Sequence, residues 1–320
     1  MSNLNLKISK EKKNDEFYTK YEDIENELKH YKNYFKNKIV YCNCDDPSFS
    51  NFWKYFHINF SSLGLKKLTS THYIDNGSTY KMEYMGGDDN NIGTGIRTVL
   101  QGNGDFRNQE CLDILFESDV IVSNSPFSLW REYFQILINS GKRFLIIGNM
   151  NAITYKEVFP YIKENKVWLG YTSPKEFIEP NGNYKKFGNI LWYTNIDIEK
   201  NHEFLYTGKK YKPENFIQYD NFDAININRL KDIPDDYYGI MGVPITFLLK
   251  YNPDQFQILG VDINDADELG IKPISEEWLN LYRKQGGKGH YTSAMKVLTI
   301  IDEKAYSPYK RILIQRKRKT

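Results

Sequence analysis

An α/β fold built on a mainly parallel sheet, followed by a more β-rich and irregular second half, is predicted by three observations. Short apolar runs that read as strands alternate with amphipathic segments that read as helices over the first half of the chain. The strongest of these runs, Val120-Ile121-Val122 and Phe144-Leu145-Ile146-Ile147, are continuously apolar, as in strands covered on both faces. From about Trp168 onward, long polar connections bearing Pro and Gly separate the strand-like runs.

The elements follow in order. Residues 23–35 place Ile24, Leu28, Tyr31 and Phe35 at steps of three and four, which predicts an amphipathic helix. Residues 38–42 form a short apolar strand that ends in the turn-rich Asn43-Cys44-Asp45-Asp46-Pro47. Ser50 is suited to cap a helix through Phe52, Tyr55 and Phe56, and 65–73 read as a second strand. The Gly-, Asn- and Asp-rich stretch 86–104 predicts a loop or loose hairpin. A helix near 108–117 leads into the strand 119–123, which Asn124-Ser125-Pro126-Phe127 breaks. The helix expected over 129–138 is closed by Gly141, ahead of the strand 143–148. In the second half, 167–171, 190–194, 245–249 and 256–260 read as strands.

Composition bounds the function. The 320 residues allow two domains, or one large domain with an appended lobe. A hydrophobic content of 40% against 26% charged suffices for a buried core and excludes a disordered chain. Lys+Arg 43 against Asp+Glu 41 leaves +2, so any nucleic-acid surface must be local. Three cysteines make no disulfide framework, and a reducing, cytoplasmic setting is expected. No signal-peptide core and no apolar run of about 18 residues is present, so no membrane partner is expected.

The strongest chemical signal is Asn124-Ser125-Pro126-Phe127 at the end of a buried strand, where open α/β sheets bind ligands. The group suits methyl transfer to an exocyclic amine on a base. Such an amine delocalises its lone pair into the ring and is a poor nucleophile. Acceptors from the Asn124 side chain and the Ser125 carbonyl would hold both amine hydrogens and localise the lone pair. Pro126 would stiffen the turn, and Phe127 would stack on a base taken out of the helix. The tetrapeptide alone also fits an ordinary Asn-Ser-Pro turn.

The tetrapeptide resembles the (D/N/S)-P-P-(Y/F/W) motif of amino-methyltransferases. More specifically, the chain resembles the EcoRI-type adenine-specific DNA methyltransferases. The matching stretches are NDEFYT at 14–19, VYCNCDDP at 40–47, SNFWKYF at 50–56, GDFRNQE at 104–110, SNSPFSLWREY at 123–133 and MGVPITFLLKYNP at 241–253. They occur in one consistent order over most of the chain. Ser125 stands where Pro is usual, and the loop at 43–47 lacks the glycine-rich form common in such enzymes.

The resemblance implies a Rossmann-like class I methyltransferase sheet with a carboxyl-terminal β-rich target-recognition lobe. Residues 1–165 would hold the S-adenosylmethionine-binding catalytic core, and 166–320 the rest of the core, the recognition lobe and a basic tail. Asn124, Ser125, Pro126 and Phe127 would be catalytic. Asn43, Asp45 and Pro47 would line the path of S-adenosylmethionine, and Asp105 and Phe106 would hold its adenine. Phe17, Tyr18 and Thr19 would close over its methionine end. That order matches the γ-type arrangement. The implied reaction is N6 methylation of adenine in double-stranded DNA, beside a restriction endonuclease linked only by function, or in marking mobile-element DNA. A monomer is expected. The same core acting on RNA adenine or cytosine N4, or a decayed DNA-binding relative, remains an alternative.

DNA contact requires local charge. Lys310, Arg311, Arg316, Lys317, Arg318 and Lys319 read as a basic tail. Lys284, Lys288 and His290 lie in or beside a Gly-rich loop, and Arg131 lies one helical turn past Phe127. Cys42-x-Cys44 lacks the further ligands of a zinc site, so no metal is expected. Asp45 and Asp46 read by themselves as solvated turn carboxylates.

Overall fold

The computed structural model describes residues 17–179, 181–288 and 296–318. The chain falls into two units, one of residues 1–152 with 167–197 and the other of 153–166 with 198–320.

The first unit contains β1 (Tyr18–Thr19), α1 (Tyr21–Leu28), β2 (Ile39–Cys42), α2 (Asn51–Ile58), α3 (Phe60–Leu63), β3 (Lys67–Thr71), β4 (Tyr80–Tyr84) and β5 (Ile96–Val99). It continues with α4 (Gln109–Glu117), β6 (Val120–Ser123), α5 (Trp130–Ser140), β7 (Arg143–Asn149), β8 (Trp168–Leu169), β9 (Glu176–Ile178), β10 (Tyr184–Lys186) and β11 (Ile190–Thr194). The main sheet runs β5-β4-β3-β2-β6-β7-β11-β8. Pairing is parallel among β3, β2, β6 and β7, and antiparallel at β4, β5, β11 and β8. The mainly parallel sheet expected from sequence is thus a mixed one with a parallel centre. Its central strands β2 and β6 are buried almost end to end, as their apolar runs require.

The helices form for local reasons. Ser50 caps α2 by accepting from the Phe52 and Trp53 amides. Trp130, Tyr133, Phe134 and Leu137 give α5 a buried face at three- and four-residue steps. Gly141 ends it with φ 67°, a left-handed cap. The helix expected over 23–35 is α-helical only to Leu28 and continues as a 3₁₀ helix, Lys29–Phe35. His, Asn and aromatic residues there favour the α-helix less than the residues before them. Stretch 86–104 holds the hairpin partner β5, exposed along its length. A separate three-stranded sheet, β1-β9-β10, ties the start of the described chain to a later hairpin.

The second unit contains α6 (Phe159–Lys163), β12 (Ile225–Asn226), β13 (Ile240–Pro244), β14 (Phe256–Val261), α7 (Ala266–Leu269), α8 (Glu276–Lys284), β15 (Thr299–Ile301), β16 (Lys304–Tyr306) and β17 (Arg311–Arg316). Its sheet runs β12-β13-β17-β14, with Leu313 of β17 packed among Tyr219, Ala224, Ile271 and Val297. The strand expected at 245–249 is instead a 3₁₀ helix, Ile245–Lys250, directly after β13. Ile245 and Leu248 are buried at the three-residue step of that helix, a short apolar run whose period does not separate helix from strand. The strand expected at 167–171 shortens to β8, because Gly170 packs against Glu27, whose buried carboxylate accepts from the Tyr171 and Thr172 amides.

Among the described residues no helix is long and apolar enough to cross a membrane.

Candidate active site

A cavity of 540 Å³ opens at the carboxyl ends of β2, β3 and β6. Among the residues expected to serve the chemistry, Phe17, Tyr18, Asp45, Asp105, Phe106, Asn124 and Pro126 line it together. Thr19, Asn43, Pro47 and Ser125 are buried nearby without lining it.

The loop after β2 is a framework of committed polar groups. Asp45 is buried, and its carboxylate accepts from Ser50 Oγ at 2.9 Å and Ser123 Oγ at 3.0 Å. Burial pushes its carboxyl up to about 7 against those hydrogen bonds and one from the Asn124 backbone. Asp45 is therefore no solvated turn carboxylate. It joins the loop, the cap of α2 and the end of β6. Asn43 lies beneath, accepting from Thr71 Oγ1 at 3.3 Å, with its Nδ2 unpaired. Asp46 accepts from the Tyr80 hydroxyl at 2.7 Å and faces His72 Nε2 at 3.5 Å.

The far wall is Gly104-Asp105-Phe106-Arg107. Gly104 has φ 78°, and a Cβ there would lie 2.0 Å from the His72 carbonyl oxygen, so the close approach of these chains requires glycine. Asp105 Oδ1 accepts from Arg107 N at 2.9 Å and Nε at 2.8 Å, and Oδ2 from a terminal guanidinium nitrogen at 2.5 Å. The Arg107 hydrogen bonds hold its carboxyl below the usual range. A carboxylate accepts about four hydrogen bonds, so Asp105 keeps room for roughly one more. Phe106 is held edge-on by Tyr133, ring centroids 5.0 Å apart.

Asn124 links the motif to the first described residues. Its Nδ2 donates to the Phe17 carbonyl at 2.5 Å, while its Oδ1 is buried with no partner. The Phe17 carbonyl needs a donor, so it fixes which end of the amide is the free acceptor. Ser125 is buried, and its hydroxyl also lacks a partner. Phe127 is half-buried in a cluster of rings. Its centroid lies 6.1 Å from Phe17, 6.1 Å from Phe177 and 5.8 Å from Phe187.

Phe177 and Phe187 were not singled out from the sequence. Phe177 lies in β9 and Phe187 directly after β10, so this hairpin brings them to Phe127 from fifty and sixty residues away, and the signal in the sequence is aromatic residues within an otherwise polar connection.

The expected DNA contacts separate. Arg131 is exposed near the start of α5, and Lys284 and Lys288 are exposed at and after the end of α8. Lys310 donates to Thr154 Oγ1 at 2.7 Å, and burial lowers its pKa. Arg311, expected in a basic tail, is instead buried in β17. Its guanidinium donates to Asn226 Oδ1 at 3.1 Å, Asn228 Oδ1 at 2.9 Å and the Tyr309 carbonyl at 3.2 Å. Arg316 is buried too, over the Phe256 ring at 4.7 Å, whereas Lys317 and Arg318 are exposed. The basic tail is largely a core strand, because the apolar Ile312-Leu313-Ile314 places it between β13 and β14. His290 and Lys319 lie outside the described residues.

Sequence comparison relates the chain to known proteins. Residues 5–317 match the family model of the adenine-specific methyltransferase EcoRI. The chain is 45% identical to the Type II methyltransferase M.EcoRI of Escherichia coli, over 84% of this chain and 93% of that protein. It is 38% identical to the Type II methyltransferase M.MgeORF184P of Mycoplasma genitalium, over 78% of this chain and 84% of that protein. Against the Type II methyltransferase M.MpnI of Mycoplasma pneumoniae it is 36% identical, over 78% of this chain and 83% of that protein. No solved structure matches it.

Proposed function

The chain belongs to the EcoRI family of adenine-specific methyltransferases, and from that premise we propose that it methylates the N6 amine of an adenine turned out of duplex DNA, using S-adenosylmethionine. The observation that carries this reading is Asn124, an amide tethered through Nδ2 with a buried, unpaired Oδ1 in the cavity wall. A buried acceptor without a donor is unfavourable in the free protein and is relieved by a ligand N–H. The Ser125 carbonyl is the second acceptor. Together they draw the amine lone pair out of conjugation and toward the cavity, while Phe127 stacks on the ring.

The cavity residues fit the proposed methyl donor. Its volume is that of a small-molecule site, and Asp46, Asp75 and Asp105 line it against Arg107, a balance that favours a cation. Asp105 and Phe106 would hold the adenine ring, and Phe17 to Thr19 would close the opposite end. S-adenosylmethionine supplies an electrophilic methyl group on a cationic sulfur. Asp45 keeps the loop and the strand end in register through Ser123.

The sheet order, parallel at its centre with β11 reversed between β7 and β8, supports a Rossmann-like class I methyltransferase core. We assign that core to the first unit and target recognition to the second, with Lys284 and Lys288 contributing phosphate contacts there and Arg131 near the catalytic motif. The Type II relatives support a role in restriction-modification.

The test is transfer of a labelled methyl group to duplex DNA, followed by nucleoside analysis. N6-methyladenine is expected. Label on cytosine, or on RNA alone, would overturn the reading.

A further inference from the structure

The hairpin β9–β10 carries charge to the ring cluster around Phe127, and neither the motif nor the cavity accounts for it. Among the described residues β10 is an outer strand of its three-stranded sheet, and Tyr184, Lys185 and Lys186 are all exposed. Side chains alternate along a strand, so its lysines face opposite ways. Lys186 lies 3.9 Å from Glu176, on the face where Lys20 sits 4.6 Å over the Tyr184 ring. Lys185 points the other way. Its ammonium is 4.7 Å from the centre of the Phe17 ring and 5.5 Å from that of Phe187. Both rings are direct neighbours of Phe127.

We propose that Lys185 anchors a backbone phosphate flanking the target adenine, on the reading above that the base stacks on Phe127. A base against Phe127 must bring its sugar-phosphate linkage out past the neighbouring rings, and Lys185 is the cation over two of them. Among the described residues, the carboxylate that faces it, Glu179, is 3.9 Å away, too far for a direct hydrogen bond. An ammonium has three donors, so Lys185 can take up a phosphate oxygen without breaking a short contact. Its place over the ring faces holds the charge at the mouth of the base site, where an approaching phosphodiester exchanges its counterions for it. The exposed edge of β10 leaves the approach open.

The test uses the full chain and duplexes in which one phosphate beside the target adenine is replaced by a neutral methylphosphonate. For the unaltered protein, neutralising one flanking linkage should raise KM about tenfold, the scale of one charge-assisted contact. Lys185→Gln should raise KM on native DNA by about the same factor, with cofactor affinity unchanged. It should also lower the salt slope of binding by about 0.9, one phosphate contact. Crucially, Lys185→Gln should no longer respond to the neutral linkage, and Lys185→Arg should restore the response. Lys186→Gln, on the opposite face, should behave like the unaltered protein. A Lys185→Gln protein with unchanged KM and salt slope, or one still sensitive to the same linkage, overturns the proposal. N6-methyladenine from the unaltered protein under the same conditions keeps such a result separate from failure of the functional reading.

Discussion

Asn124 and Arg311 both looked, by residue type, like groups that meet a ligand, and their surroundings give them opposite characters. Asn124 uses one end of its amide on the Phe17 carbonyl and leaves the other buried and unpaired at the cavity. Arg311 directs its guanidinium inward to two asparagines and a carbonyl, and its backbone amide donates to Asp262 at 3.0 Å. A polar group whose hydrogen bonds close within the fold supports structure. One left incomplete beside a cavity marks where a partner is expected.

The largest expected effect breaks the comparison at its first member. Asn124→Ala should lower methyl transfer about 100- to 1000-fold, on the order of 3–4 kcal/mol, with cofactor affinity unchanged in calorimetry. Full activity in that variant would remove Asn124 from the reaction. At the second member, Arg311→Met should destabilise the fold by roughly 2–3 kcal/mol and leave the salt dependence of DNA binding unchanged. Denaturant midpoints and binding titrations check the two halves separately, and a changed salt slope with unchanged stability would restore a surface role.

Asp105→Ala probes an intermediate case, a carboxylate mostly occupied by Arg107. Cofactor affinity should weaken by roughly 1.5–3 kcal/mol, read by calorimetry. Phe127→Ala should weaken capture of the target base by roughly 1–3 kcal/mol, most clearly in KM for duplex DNA.

The last prediction concerns pH. With its carboxyl raised from 3.8 to about 7, Asp45 keeps in the folded chain a proton that the unfolded chain releases. Its contribution to stability is therefore full below about pH 4 and lost as the pH rises to about 7. Asp45→Asn should flatten unfolding midpoints over that window, and an unchanged pH profile would count against the proton.

The strands and helices that frame the cavity were legible because their patterns are local. The apolar runs of β6 and β7, the Ser50 cap and the Gly141 stop each act within a few residues. The motif stood out through resemblance, but its surroundings depend on partners far along the chain. Nothing near Asn124 announces the Phe17 carbonyl, and nothing near Phe127 announces Phe177 and Phe187. The 3₁₀ helix Ile245–Lys250 shows the complementary limit, since a short, mostly apolar run fits two periods equally well. Arg311 shows why counting basic residues fails, because pairing across strands turned a charged stretch into an interior strand.

Residues 153–166 belong to the second unit, yet they lie between β7 and β8 of the first. The polypeptide thus leaves one unit, visits the other and returns before leaving for good. A single cut after residue 197 keeps the first unit in one piece but strips the second of its inserted segment, and a protease nick in that excursion leaves both joined by the later crossing. The same threading governs recombination. One crossover between related genes would transplant most of the second unit while leaving its inserted segment with the original parent. Transplanting the second unit whole therefore needs three junctions, one on each side of the excursion and one after residue 197.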